Sequence, residues 1–338
     1  MPDSLARRNS VVGMEGARVG RYVLEDCLGH GSHTAVYRAW TPSGDLVALK
    51  LVDGRLQGGE DLAERLRRDA AVLDQLGAPQ ILPILNAVWV DEMTAVAMPL
   101  VDAPSLRDLM GARGSLHGDL AWGILTQVAD SLHAAHRAGL TCRVLKPGNV
   151  LVRDGRAFLA EFGITGRFAG QVGLTAPDCR LSAAQYLAPE QVMGEEPDHR
   201  ADIYSFAVLV FELGTATSLY EAAHPSAILR RTLSAPPPSA HARNPRFPPD
   251  VDGVLRRALA RDPRVRHGSV VELMDELVCP PQPNAGRAAA PADAANTGAA
   301  PAAGPDATPA AQVTVDSLID VLSGVLAPES ANGEASQA

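Results

Sequence analysis

Residues 142–152 read CRVLKPGNVLV. The polar pair Lys146 and Asn149 stands among apolar residues, and Pro147 and Gly148 force a bend between them. Proline fixes φ and glycine frees it, so the stretch reads as a loop that carries polar side chains into a cleft, with buried strand on either side. A catalytic loop needs an acid or a base, yet the slot two residues after Cys142 holds Val144, which cannot move a proton.

Composition sets the frame around that loop. The 338 residues are enough for two lobes with a real core, 46% of them are hydrophobic, and the net charge is −9. An acidic chain without basic runs is not built to bind nucleic acid. The four cysteines, Cys27, Cys142, Cys179 and Cys279, have no C-x-x-C spacing. That argues against a disulfide framework or a zinc site and for free thiols in a reducing cytoplasm. The opening MPDSLARRNSVVGMEG has no signal-peptide core, and no stretch approaches the ~18 apolar residues of a membrane span. A cytoplasmic chain is therefore expected.

Patterning divides the chain. Residues 1–20 read as a flexible N-terminal arm and 21–279 as the folded unit, with a small lobe over 21–100 and a larger one over 101–279. YVLEDCL, AVYRAW and LVALKLV are β-rich and separated by turn residues, whereas EDLAERLRRDAAVLDQL and DLAWGILTQVADSLHAAHRAG have helical spacing. The layout is α+β and bilobal, and ligand clefts form between such lobes. Residues 280–311 are Ala, Pro and Gly with almost no large apolar side chain, which predicts a linker. From 280 to the end, six acidic residues against one arginine give −5 of the −9.

Upstream of the loop, LGHGSHTAVYRA carries Gly29 and Gly31, and VALK places Lys50 on a strand. Taken with CRVLKPGNV, AEFGI, LAPEQ, DIYSFAV and RDPRVRHGS in this order and spacing, roughly residues 21–278 resemble the protein kinase family, in its bacterial-type Ser/Thr branch. The resemblance implies a small β-rich N-lobe, a helical C-lobe and ATP or ADP in the cleft between them. Gly29, Gly31, Val36, Ala48 and Leu151 match its nucleotide-lining positions, and Lys50 matches the lysine on the α- and β-phosphates. Asp69 stands where the glutamate partner of that lysine belongs. AMPLVD matches the adenine hinge, with Pro99 offering its carbonyl and Val101 its amide. Lys146 matches the lysine near the γ-phosphate. Asn149 and Glu161 occupy the metal-binding positions, and Glu161 replaces an aspartate. Glu190 and Arg266 match a buried structural pair, and Asp202 a buried acid in the central helix.

Four positions depart from the pattern at one site. Val144 replaces the proton-accepting aspartate, Glu161 displaces the metal ligand by a methylene, Ala183 replaces a threonine of the substrate seat, and Thr34 replaces the third loop glycine. A general base is worth ~10²–10⁴-fold, and magnesium demands near-ideal geometry at ~2.0–2.1 Å. The expectation is a catalytically inactive, regulatory or scaffolding pseudokinase that binds nucleotide weakly and magnesium poorly. Its partners would be proteins, such as another kinase or a phosphatase. The alternative is an impaired Ser/Thr kinase that still transfers phosphate from ATP. Lys50 is expected either on nucleotide or paired with Glu161 or Asp69, Asn149 either on metal or capping its loop, and Cys142 packed beneath Phe162. Thr175 and Ser10 are candidate phosphorylation positions.

The tail, residues 312–338, carries TVDSLIDVLSGVLAP. A 3.6-residue period predicts a short helix over 314–327 with Val315, Leu318, Ile319, Leu322, Val325 and Leu326 on one face. So short a helix is marginal alone. It is expected to dock either on its own large lobe or, as the preferred reading, in a groove on a partner or on a second copy of the chain.

Overall fold

The computed structural model describes residues 11–31, 33–53, 59–112, 116, 118–163, 181–280 and 315–326. Thr175 and Ser10, the segment 281–314 and the ends of the predicted tail helix lie outside them. The small lobe is a six-stranded antiparallel sheet in the order β1-β2-β3-β4-β6-β5. Its strands are β1 (Arg18–Val19), β2 (Tyr22–His30), β3 (Thr34–Trp40), β4 (Leu46–Asp53), β5 (Asn86–Val90) and β6 (Met93–Pro99). One helix, α1 (Gly59–Leu76), packs on β5 and β6.

The pleat explains why this sheet makes one wall of a cleft. Val36 faces Lys50 across β3 and β4, and Ala48 faces both Arg38 and Met98. Directly paired and alternate residues share a face. Val36, Arg38, Ala48, Lys50 and Met98 therefore lie together on the cleft side. Leu49 and Leu51 point the other way, into a core with Tyr22, Leu24 and Tyr37.

The N-terminal arm is shorter than the sequence suggests. Arg18 and Val19 pair with β2, and Val11 and Val19 are buried. The Tyr37 hydroxyl donates to the Val11 carbonyl at 3.0 Å and accepts from the Met14 amide at 3.2 Å. A buried tyrosine hydroxyl needs a partner, and the arm supplies it.

The large lobe holds the short α2 (Leu106–Gly111), the long α3 (Gly118–Arg137), the hairpin β7 (Val150–Arg153) and β8 (Arg156–Leu159), then α4 (Leu181–Ala184) and α5 (Pro189–Met193). There follow α6 (His199–Thr215), α7 (Pro225–Ser234), α8 (Ala240–Arg243), α9 (Pro249–Ala258) and α10 (Val270–Val278). In α3, Ala121, Ile124, Leu125, Val128, Leu132 and Ala135 recur at helical spacing and are buried. Helix α6 is buried on every side from Ala201 to Thr215, as the central helix of a lobe must be. Its Asp198 N-cap accepts from the Arg200 amide at 2.8 Å.

A last helix, α11 (Val315–Leu326), packs on α3 and α6 of its own lobe. Of the two expected seats, the structure shows the helix on the chain's own large lobe. The buried face is also rotated from the predicted stripe. Leu318, Val321 and Leu322 are buried, while Val315 and Ile319 are half-buried. The groove lies along Trp122, Leu125, Val210, Phe247 and Leu277, residues from three helices and the loop before α9.

Candidate functional site

Between the lobes lies a cavity of about 660 Å³. Gly29, Gly31, Val36, Ala48 and Lys50 line it from the sheet, Pro99 and Val101 from the chain leaving β6, and Val144, Lys146, Asn149, Leu151, Glu161 and Ala183 from the large lobe. Motif spacing thus brought all but one of the expected positions to a single cavity.

The exception is Asp69. It does not line the cavity; its carboxylate lies beside Gly163, amid the charges of Arg65, Arg143 and Arg68. Burial raises its pKa against the pull of those arginines. Asp69 is therefore not the Lys50 partner. Arg65 fixes the local arrangement by donating to the Gly163 carbonyl at 3.1 Å.

Lys50 instead pairs with Glu161, Nζ to Oε2 at 2.7 Å, and only 2% of the lysine side chain is exposed. Burial pushes the Glu161 carboxyl up, but Lys50, Lys146 and Asn149 together outweigh it and hold the pKa below the usual range. Glu161 stays ionised. Its backbone is left-handed, φ 63°, a costly conformation for a residue with a Cβ. Neighbouring hydrogen bonds hold it there. The Ala160 amide donates to the Asn149 carbonyl at 2.8 Å, and the Gly163 amide to the Cys142 carbonyl at 3.3 Å.

The loop of residues 142–152 has the bend that its sequence predicts. Pro147–Asn149 form a 3₁₀ turn that hands the chain to β7, with Pro147 at its first position. Asn149 Nδ2 donates to the Val144 carbonyl at 3.2 Å, which is the capping role. Val144 therefore lines the cavity and anchors the loop through its backbone carbonyl. Cys142 is buried in the same core as Phe162, and burial raises its thiol pKa well above normal, so it is a small apolar residue here.

Asp202 of α6 organises the base of the loop. Its carboxylate accepts from the Cys142 and Arg143 amides at 2.7 Å each and lies 2.8 Å from His136 Nε2. Arg143, also left-handed at φ 69°, accepts at its carbonyl from Gln191 Nε2 at 2.6 Å and pairs with Glu196 at 2.8 Å. Glu196 escaped the sequence reading, because no local pattern ties it to a residue so far upstream. Asp102, Ser105 and Asp108 at the cavity mouth also escaped it. For Ser105 and Asp108 a signal existed: SLRD is a capping box, and the Ser105 amide donates to Asp108 at 2.9 Å.

The donor set suits the body of a nucleotide better than its metal. Thr34 packs on Gly31, where an added Cβ would come within 2.6 Å of Thr34 Oγ1, so the loop apex is already filled. Glu161 is committed to Lys50.

The protein kinase domain family matches residues 22–278. Serine/threonine-protein kinase PknD of Mycobacterium tuberculosis is 34% identical over 76% of this chain and 39% of its own length. PknH of Mycobacterium bovis is 32% identical over 76% of this chain and 44% of its own length. PknL of Mycobacterium tuberculosis is 32% identical over 76% of this chain and 65% of its own length. The chain thus matches less than two thirds of the length of these relatives. Among solved structures, a cysteine-to-alanine mutant of the Mycobacterium tuberculosis PknI kinase domain superposes with a TM-score of 0.61 at 28% identity, covering 78% of this chain and 96% of that one. Motifs, bilobal fold and family match agree: the chain belongs to the protein kinase family, in its bacterial Ser/Thr branch.

Proposed function

We propose that this chain is a catalytically inactive kinase-like module, a pseudokinase that regulates or scaffolds protein partners. One observation carries the reading. The proton-accepting position of the catalytic loop is Val144, which lines the cavity and can accept no proton, while the metal-position carboxylate of Glu161 is bound to Lys50. Phosphoryl transfer works by positioning and charge stabilisation. Here the charges on which it would draw are paired with each other. Nucleotide binds weakly in this reading, through the hinge backbone, Gly29 and Lys146, with little help from magnesium. Among the described residues no helix is long and apolar enough to cross a membrane, and the proposed setting is the cytoplasm, beside another kinase or a phosphatase.

A second reading keeps one favourable observation. Lys146, Asn149 and Glu161 still converge on a cavity large enough for ATP, so an impaired Ser/Thr kinase is the alternative. Incubation of purified protein with labelled ATP and generic acceptor proteins separates the two. The pseudokinase reading expects no label beyond that of a Lys50→Met control. Robust, Lys50-dependent labelling overturns it.

A further inference from the structure

The tail helix α11 and its groove form a matched pair within one chain. Helix α3 begins at Gly118, and a Cβ built there would overlap the Ile319 carbonyl and the Ser323 hydroxyl. Only glycine lets the two helix backbones come so close. Leu318, Val321 and Leu322 then fill the groove beside Trp122, Leu125, Val210, Phe247 and Leu277. The outer face of α11 carries the exposed Asp316 and Asp320. A helix of this length gains its structure from the surface it binds.

The length of chain that leads to α11 is far greater than docking requires. Leu277, at the end of α10, lines the same small apolar cavity as Leu318 and Leu322. The chain therefore leaves the lobe beside the place to which it returns, and a few residues would close the gap. Instead, residues 281–314 intervene, and a segment of that length spans roughly 110 Å when extended. That reach lets the helix find the same groove on a neighbouring molecule.

We infer that the α3–α6–α10 groove is a helix-docking site whose second occupant is the α11 helix of another copy of this chain. Two molecules would exchange tails reciprocally, which gives a closed two-fold pair. A tether of this kind holds its own helix at an effective concentration on the order of millimolar. The dilute chain is then closed on itself, and exchange takes over where copies are held together or where the internal match is broken.

Two variants of the full chain test this by complementation. Gly118→Leu fills the groove and leaves the tail intact; Leu318→Asp with Leu322→Asp spoils the tail and leaves the groove open. At tens of micromolar, well below the on-the-order-of-millimolar tether, each alone is expected to sediment as a monomer. Mixed in equal amounts, they are expected to form a one-to-one complex. Should Gly118→Leu fail to fold, a synthetic peptide of residues 312–328 takes its place as helix donor, and it is expected to bind the double variant at least tenfold more tightly than it binds the wild type. A mixture that stays monomeric, or a peptide that binds both proteins equally, overturns the inference. So does a double variant that cannot fold, because the helix would then be a fixed brace of the lobe.

Discussion

The frame of the large lobe and the cleft beside it treat buried charge in opposite ways. In the frame, Arg266 donates to both oxygens of Glu190 at 2.7 Å each and also to the carbonyls of Ala260 and Arg200. Its guanidinium lies over the Tyr204 ring at 5.1 Å. Arg107, Glu212 and Tyr186 form a second closed set. Each group meets a partner fixed by the fold. In the cleft, Lys50 and Glu161 meet each other because the carboxylate expected beside the lysine, that of Asp69, lies beside Gly163 instead. The residues that build a kinase have stayed where the fold needs them. At the reacting centre the changes are ones the fold tolerates, since Val144 still anchors Asn149 through its backbone.

Removing one member of each pair sharpens that contrast. Glu190→Ala leaves Arg266 buried without its carboxylate, and loss of one partner of a buried pair costs about 3–5 kcal/mol. Denaturant titration should show a loss of that size, or no folded protein at all. A loss below about 1 kcal/mol would make the frame pair no stronger than a surface one. Lys50→Met strands Glu161, but that side chain is partly open to solvent and regains stability by taking up a proton. Its expected cost is smaller, about 1–3 kcal/mol, read by the same titration. A cost that exceeds the frame's would reverse the comparison.

Asp69 sets the lower end of the scale. Burial holds its pKa above normal, so its charge is a burden on the fold at neutral pH. Asp69→Asn is expected to change stability by less than about 0.5 kcal/mol. A loss several times larger would show a strong ion pair at this position after all.

The pH dependence of the cleft pair is the finest test. Glu161 has a depressed carboxyl pKa in the folded chain. Its contribution is therefore fully present above the unfolded value of about 4.3 and is lost as pH falls through the folded value. The stability difference between wild type and Glu161→Gln should hold from neutrality down to that region and shrink below it. A difference that grows with acid would mean that the folded carboxyl is raised instead.

What could be seen in advance follows the range of the interactions. The cleft residues were legible because each motif fixes a turn or a strand phase locally: Pro147 and Gly148 bend the loop, and β alternation brings Ala48 and Lys50 to one face. Glu190 and Arg266 were legible from motif spacing. Asp69 was not, because the direction in which a helical side chain points depends on how α1 sits against the large lobe. Docking of α11 within the chain depends on a groove drawn from three helices and a loop far apart in sequence, so the helix was visible and its seat was not. Val11 belongs to the folded unit because a single hydroxyl, that of Tyr37, waits for its carbonyl.

The cleft pairs the carboxylate at the metal position, that of Glu161, with its own lysine. Titration of ATP into the wild-type chain with and without magnesium tests it most directly, with thermal unfolding as the readout, since a ligand at ~100 times its dissociation constant adds ~2.7 kcal/mol. Weak binding is expected, with an affinity that changes by less than about threefold, under ~0.7 kcal/mol, when magnesium is added. A tenfold or greater gain with magnesium, ~1.4 kcal/mol or more, would show Glu161 leaving Lys50 to ligate the metal, and would contradict it.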